Sequence, residues 1–209
     1  MNIDYNKPIH VDLPLVPFPM KDIYRRLQMP QNEVEKHEGV AQLLDEALEI
    51  SKPLIRPKGG YLFLEKISDS RDTVKFKDSS FEIQSPQVAK LLKSSAIAVI
   101  FMTTIGKDLE NKAHELSQQG DVTIGFMLDA IASETADAVA DYLHRQYIAG
   151  QVGEEYETTP RFSAGYGDWP ITVQSDILQL CNGGKIGISV TESSLMIPRK
   201  SVSAVFGLK

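Results

Sequence analysis

Hydrophobic and polar positions along this chain follow two rhythms, one near 3.6 residues and one near 2, which separate candidate helices from candidate strands. Ile23, Tyr24 and Leu27 share one side of a short helix expected over Lys21–Met29, which Pro30 stops. Val34, Val40, Leu43, Leu44, Ala47, Leu48 and Ile50 continue at near-helical spacing. They predict a second helix, capped by Asn32 and running to about Ile50, before Pro53 and Pro57 break the pattern. Gly60–Ile67 reads as a strand, and Thr73–Lys77 with Ser80–Gln84 reads as a hairpin around Asp78-Ser79. Ser85-Pro86 is a helix start, because a serine caps well and proline lacks only an N–H that the first turn leaves unpaired. That helix is expected to end near Lys93.

Ala96–Met102 is continuously apolar and predicts a strand buried on both faces, central in a sheet. Thr103–Gly106 is a turn, and Lys107–Gln119 is a helix that Gly120 ends. Asp121 to about Ala149 is the longest helical pattern, with Ile124, Met127, Leu128, Ile131, Ala138, Tyr142 and Leu143 on its apolar stripe. A polar connection, Gly150–Pro160, leads to Arg161–Pro170. After it come a helix over about Thr172–Cys181, a turn at Gly183-Gly184, a strand over Ile186–Thr191 and a last strand over Ser201–Gly207. Helices and strands mix without strict alternation, which favours an α+β fold over a doubly wound sheet. The first nineteen residues carry Pro8, Pro14, Pro17 and Pro19 and read as an extended arm, lying on the surface or on another chain, ahead of one domain over residues 20–209.

Composition narrows the function classes. Of the 209 residues, 42% are hydrophobic and 24% charged, enough for a globular core. The formal net charge of −6 argues against a general nucleic-acid partner, which needs a basic face. Cys181 is the single cysteine, so no internal disulfide forms, in keeping with a reducing, cytoplasmic setting. The four histidines are scattered, without zinc-binding spacing. No signal peptide opens the chain, and the longest apolar run is too short to span a bilayer.

One stretch concentrates the candidate chemistry: Arg161-Phe162-Ser163-Ala164-Gly165-Tyr166-Gly167-Asp168-Trp169-Pro170. Its arginine offers a planar fork that suits a carboxylate or phosphate. Its glycines permit close backbone approach or positive φ, and its rings would otherwise cap the core. Gly165-Tyr166-Gly167 lacks the spacing of a dinucleotide fingerprint, and no phosphate-binding GxxxxGK[ST] loop exists. No GxSxG elbow marks a hydrolase. On the long helix, Asp129, Ser133, Asp137 and Asp141 form a stripe whose ordinary reading is a solvated face. Asp137 and Glu192 could pair for acid–base work, but nothing in the sequence brings them together. His144 is expected to interact with the helix end or Asp141, and Cys181 reads as structural.

Four pieces, in order, resemble a known family. They are Ala136-Asp137-Ala138-Val139-Ala140-Asp141-Tyr142-Leu143-His144; the R-x-x-x-G-Y pattern from Arg161 to Tyr166; Thr191-Glu192-Ser193 with Met196 and Pro198; and Ser201-Val202-Ser203. Together, over about Leu128–Gly207, they are similar to the activation (reactivation) domain of cobalamin-dependent methionine synthase. Lys21–Leu27 and Thr103–Gly106 resemble stand-alone members of the family more loosely, and 209 residues would be the isolated module.

The resemblance implies a single bent α+β domain with a mainly antiparallel sheet flanked by helices and a shallow groove for S-adenosylmethionine. It implies that the domain helps restore methylcobalamin when the corrinoid cobalt has been oxidised to Co(II). Partners would be a corrinoid-binding protein, or the remaining synthase modules, and a reductant such as flavodoxin or ferredoxin; neither nucleic acid nor membrane is implied. Carried over by residue, Arg161 would hold the ligand's carboxylate and Asp137 would face its polar groups. The backbone near Ser163 would meet the adenine, Gly165 and Tyr166 would line the groove, and Val202 would form an apolar wall. No side chain is expected to act as nucleophile or general base.

The sequence also departs from the family. Asp137 stands for a glutamate, Phe162 and Gly167 stand for prolines, and an early acidic residue and a late aromatic have no counterpart. These departures point to an alternative, a non-catalytic docking protein for a corrinoid protein that has lost S-adenosylmethionine binding.

Overall fold

A computed structural model describes residues 3–34 and 36–209. The N-terminal arm enters as strand β1, Ile9–Asp12, and buries Leu13 and Val16 in the core. Helix α1, Met20–Arg26, follows. The expected second helix is divided into α2, Gln31–Val34, and α3, Glu38–Ser51. Glu35, within the expected span, lies outside the described residues. His37 leaves the helical region at φ −116° and ψ 89°, and α3 starts anew behind it. The apolar spacing is the same on both sides, which is why the pattern reads as continuous.

Strand β2, Lys58–Asp69, is the longest strand; β3, Thr73–Phe76, and β4, Glu82–Gln84, return along its far end. Asp78 takes φ 52° between β3 and β4, where the hairpin turn was expected. Helix α4, Pro86–Leu91, is capped as predicted: the Ser85 hydroxyl accepts from the Val88 N–H at 3.0 Å. Strand β5, Ile97–Thr104, is buried at every position. Helix α5, Asp108–Gln119, ends at Gly120 with φ 101°. Helix α6, Val122–Tyr142, packs against it, and Gly125 permits the close approach, because a Cβ there would sit 2.8 Å from the Ala113 carbonyl oxygen. The helix continues as a π-helical stretch, Leu143–Ile148, into α7, Ala149–Val152.

Strand β6 is only Phe162–Ser163, and α8 spans Gln174–Leu180 after a 3-10 turn at Ile171–Val173. The strand expected over Ile186–Thr191 is reduced to β7, Ser189–Val190, paired with β8, Met196–Ile197. Gly187, at φ 83°, closes a 3-10 turn over Gly183–Ile186 that takes up the first of those residues. Strand β9, Ser201–Leu208, closes the sheet.

The sheet has the order β4-β3-β2-β5-β9-β6, with β1 beside the first half of β2. Every strand pairing among the described residues is antiparallel. The apolar run beginning at Ala96 therefore does lie centrally, between β2 and β9. Each face of the sheet carries its own core. One includes Phe101, Phe206, Ala204 and the inner face of α6; the other includes Trp169, Ile177, Cys181 and Val205. This is the α+β architecture expected from the sequence. No described helix is long and apolar enough to cross a membrane.

His144 corrects an expectation. The helix runs on past it, and the ring is 1% exposed and lies tilted against Phe206, with centroids 4.2 Å apart. Neither ring nitrogen has a well-aligned hydrogen-bond partner among the described residues. Burial, aided by the charge of Arg145, lowers its pKa to about 4, against weaker opposing pulls from the Thr159 backbone and Asp141. The unfolded chain then binds a proton near pH 6.5 that the folded chain refuses. Stability from this group is complete above pH 6.5 and is lost as the pH falls from 6.5 towards 4, by on the order of 2–3 kcal/mol. Urea titrations at pH 7.5 and 4.5 should show this loss, and His144→Phe should reduce it. An equal acid loss in the variant would assign the pH dependence elsewhere. Cys181 is also buried, which raises its thiol pKa well above the ordinary range and agrees with a structural role.

Candidate functional site

The stretch Arg161–Pro170 folds over the edge of the sheet. β6 pairs with β9, placing Phe162 opposite Val205 and Ser163 opposite Ala204. The chain then turns tightly: Gly165 donates to the Trp169 carbonyl at 2.8 Å, and Trp169 donates back to the Tyr166 carbonyl at 3.1 Å. Gly165 and Gly167 take φ 88° and 55°, which a residue with a Cβ adopts only with strain. Trp169 is buried in the second core, so this ring does cap the interior, whereas Tyr166 is 71% exposed. Asp168 ties the turn to α4: its carboxylate accepts from the Ser85 hydroxyl and from the Gln87 N–H. The loop is thus anchored at both ends and held open at Tyr166.

Beneath Tyr166 lies a groove of about 470 Å³, within the range of small-molecule sites. Asp137, Arg161, Ser163, Tyr166 and Val202 all line it. Gly165 does not line it; its part is the turn. Glu192 sits in the β7–β8 connection and does not join Asp137 there, so that carboxylate pair is absent. Six residues the sequence did not single out for the groove wall also line it: Phe162 and Ala164 from the same stretch, and Gln174, Met196, Ser201 and Ser203. A second cavity, of about 520 Å³, lies between the arm and α6 and shares Asp137 with the groove.

Arg161 is the electrostatic centre of the groove. Its Nη2 donates to Asp137 at 2.6 Å and its Nε donates to Asp141 at 2.8 Å. Burial works against its charge, but the hydrogen bonds to Asp141 and Asp137 prevail and hold its pKa above the ordinary value. The side chain is 18% exposed. A guanidinium has five N–H donors. The two carboxylates take two, leaving three for a ligand. The helix stripe is therefore more than a solvated face: its carboxylates stay about half exposed, yet each meets a basic side chain. Asp137 and Asp141 clamp Arg161, while Asp129 pairs with Lys200 at 2.7 Å and Ser133 accepts from the same ammonium. Basic groups just before β9 and just before β6 meet each of these side chains. Their partners lie far away in sequence, so helical periodicity carries no sign of the pairing.

A carboxylate beside an arginine with unused donors can take both halves of a zwitterion. Asp137 offers an acceptor for an ammonium, and Arg161 offers donors for a carboxylate. The rest of the groove mixes apolar and polar walls: Val202, Ala164 and Met196, with Gln174, Ser201 and Ser203.

The sequence model of a family described as the activation domain of vitamin B12 dependent methionine synthase matches residues 88–208. None of the curated proteins compared matches the chain. Among solved structures, the crystal structure of the MetH reactivation domain bound to AdoHcy superposes with a TM-score of 0.72 at 17% identity, covering 98% of this chain and 79% of that one. At that identity the superposition speaks for the fold. The family match spans more than half of the chain, from α4 through β9, and includes the R-x-x-x-G-Y loop and the clamp on α6. The chain belongs to the family of the vitamin B12-dependent methionine synthase activation domain.

Proposed function

We propose that the chain, with residues 20–209 as its binding domain and residues 1–19 as an arm, is an S-adenosylmethionine-binding reactivation module of a cobalamin-dependent methyltransferase. The observation that carries this reading is the groove. Five residues named from sequence converge there, and its Arg161–Asp137 pair matches an amino acid's carboxylate and ammonium. Two buried polar atoms in its wall, Gln174 Oε1 and Ser203 Oγ, have no partner among the described residues, which suits a polar ligand. Bound there, S-adenosylmethionine supplies the methyl group for reductive methylation of a Co(II) corrinoid to methylcobalamin. The corrinoid is carried by a partner protein, and the electron comes from a separate donor such as flavodoxin or ferredoxin.

The chain's own contribution is binding and orientation. Arg161 fixes the amino-acid end through charge-assisted hydrogen bonds, and the closed turn at Gly165 keeps Ser163 and Tyr166 at the groove wall. Such positioning turns an encounter between two partners into a reaction within one complex. No step asks a side chain of this protein to take up or release a proton.

The test is reconstitution. A corrinoid-binding protein loaded with cob(II)alamin, a reductant and S-adenosylmethionine should yield the methylcobalamin spectrum only when this protein is added. Equal conversion without it would sink the proposal. One observation favours the alternative of a docking protein without a methyl donor: Arg161 is already engaged by two carboxylates of its own chain. Calorimetry with S-adenosylmethionine separates the two, since a pure docking protein releases no heat of binding with it.

A further inference from the structure

The groove crosses the edge of the sheet, and its two ends differ chemically. Along β9, Val202, Ala204 and Phe206 pack on the α6 side. Side chains alternate along a strand, so Ser201 and Ser203 face the other way, with Val205, towards α8. Asp137, on α6, marks the first end. Gln174 marks the second: it opens α8 and shares a stripe with Ile177 and Cys181, both packed in the second core. The charged clamp and Gln174 therefore stand at opposite ends of one groove.

Gln174 is 4% exposed, and among the described residues its Oε1 accepts no hydrogen bond; Ser203, 2% exposed, leaves its Oγ without a partner among them at the same end. A buried carbonyl oxygen without a donor is costly. The oxygen accepts only, so what satisfies it must carry an N–H or O–H. Between the clamp and Gln174 the wall includes Val202, Ala164 and Met196, a surface suited to a flat ring.

We propose that Gln174 reads the exocyclic amine of an adenine, and so determines which base the site accepts. This rests on the proposed binding of an S-adenosyl ligand. With the ammonium and carboxylate at Asp137 and Arg161, the amine is the N–H donor at the far end of such a ligand. A site built around a hydrogen bond to one group discriminates strongly against an analogue that lacks it, because its own buried partner is left unpaired.

Calorimetry with S-adenosylhomocysteine and S-inosylhomocysteine tests this, since the second has an oxo group where the first has the amine. The wild-type protein should prefer the adenosyl ligand by about tenfold or more. Gln174→Leu should bind the two nearly alike, by losing affinity for the adenosyl ligand. Gln174→Glu keeps acceptor oxygens and should keep the preference; it also serves if the leucine variant fails to fold. A preference that survives in Gln174→Leu, or is missing from the wild type, overturns the assignment while leaving the binding reading intact. Absence of binding of either ligand to the wild type overturns both.

Discussion

Arg161→Ala is expected to weaken S-adenosylmethionine binding by about 3 kcal/mol, roughly a hundredfold in Kd. Two effects add. The ligand's carboxylate loses its charge-assisted partner, worth about 1.5–3 kcal/mol. It then also faces Asp137 and Asp141, two carboxylates that Arg161 had neutralised. The fold should tolerate the change. Asp137 and Asp141 are 58% and 46% exposed and one turn apart, and like charges at that spacing on an exposed helix cost only about 0.2–0.5 kcal/mol. Thermal unfolding should therefore move little while calorimetry loses the binding signal. Arg161→Lys keeps the charge but gives up the fork that bonds Asp137, Asp141 and a ligand together, so it should restore only part of the affinity. Unchanged affinity in the alanine variant would remove Arg161 from the binding site.

The fold was legible wherever local chemistry decides structure. The Ser85-Pro86 helix start, the Gly120 helix stop and the apolar run of β5 each follow from one or two residues. The loop at Arg161 was legible from its unusual content of rings and glycines. The break before α3 was not, because the apolar spacing runs on across it. The π-helical stretch after Tyr142 was not legible either, because the apolar stripe ends at Tyr142 and Leu143, where it begins.

The site divides along the same line. Arg161, Ser163 and Tyr166 sit on one short stretch, and proximity in sequence brings them together. Gln174 and Ser203 do not announce themselves. A glutamine at the start of a short helix and a serine in a strand are common on surfaces, and only tertiary packing shows that both are buried without partners. The pattern likewise cannot distinguish a carboxylate in water from one across which an arginine lies. For that reason the α6 stripe reads as solvated in the sequence and as a clamp in the structure.

The clamp makes Asp137 and Asp141 the most informative pair to compare. Their sequence context suggests that Asp141 is inert, but its carboxylate accepts from Arg161 Nε at 2.8 Å, so it is no bystander. The two differ in what else they reach. Asp137 lines the groove, and Asp141 does not. If Asp137 receives the ligand's ammonium directly, Asp137→Asn should cost about 1.5–3 kcal/mol of binding, roughly 10- to 150-fold, through loss of a charged acceptor. Asp141→Asn removes only a partly exposed ion pair that steadies Arg161, and should cost no more than about 1 kcal/mol. Both variants should unfold within about 0.5 kcal/mol of the wild type, as substitutions at exposed positions do. The ratio of the two losses carries the answer. A larger loss at Asp137 supports direct contact with the ligand. Equal losses would mean that both aspartates act only by holding Arg161, and a larger loss at Asp141 would place the ammonium in the neighbouring cavity, which Asp141 lines together with Asp137.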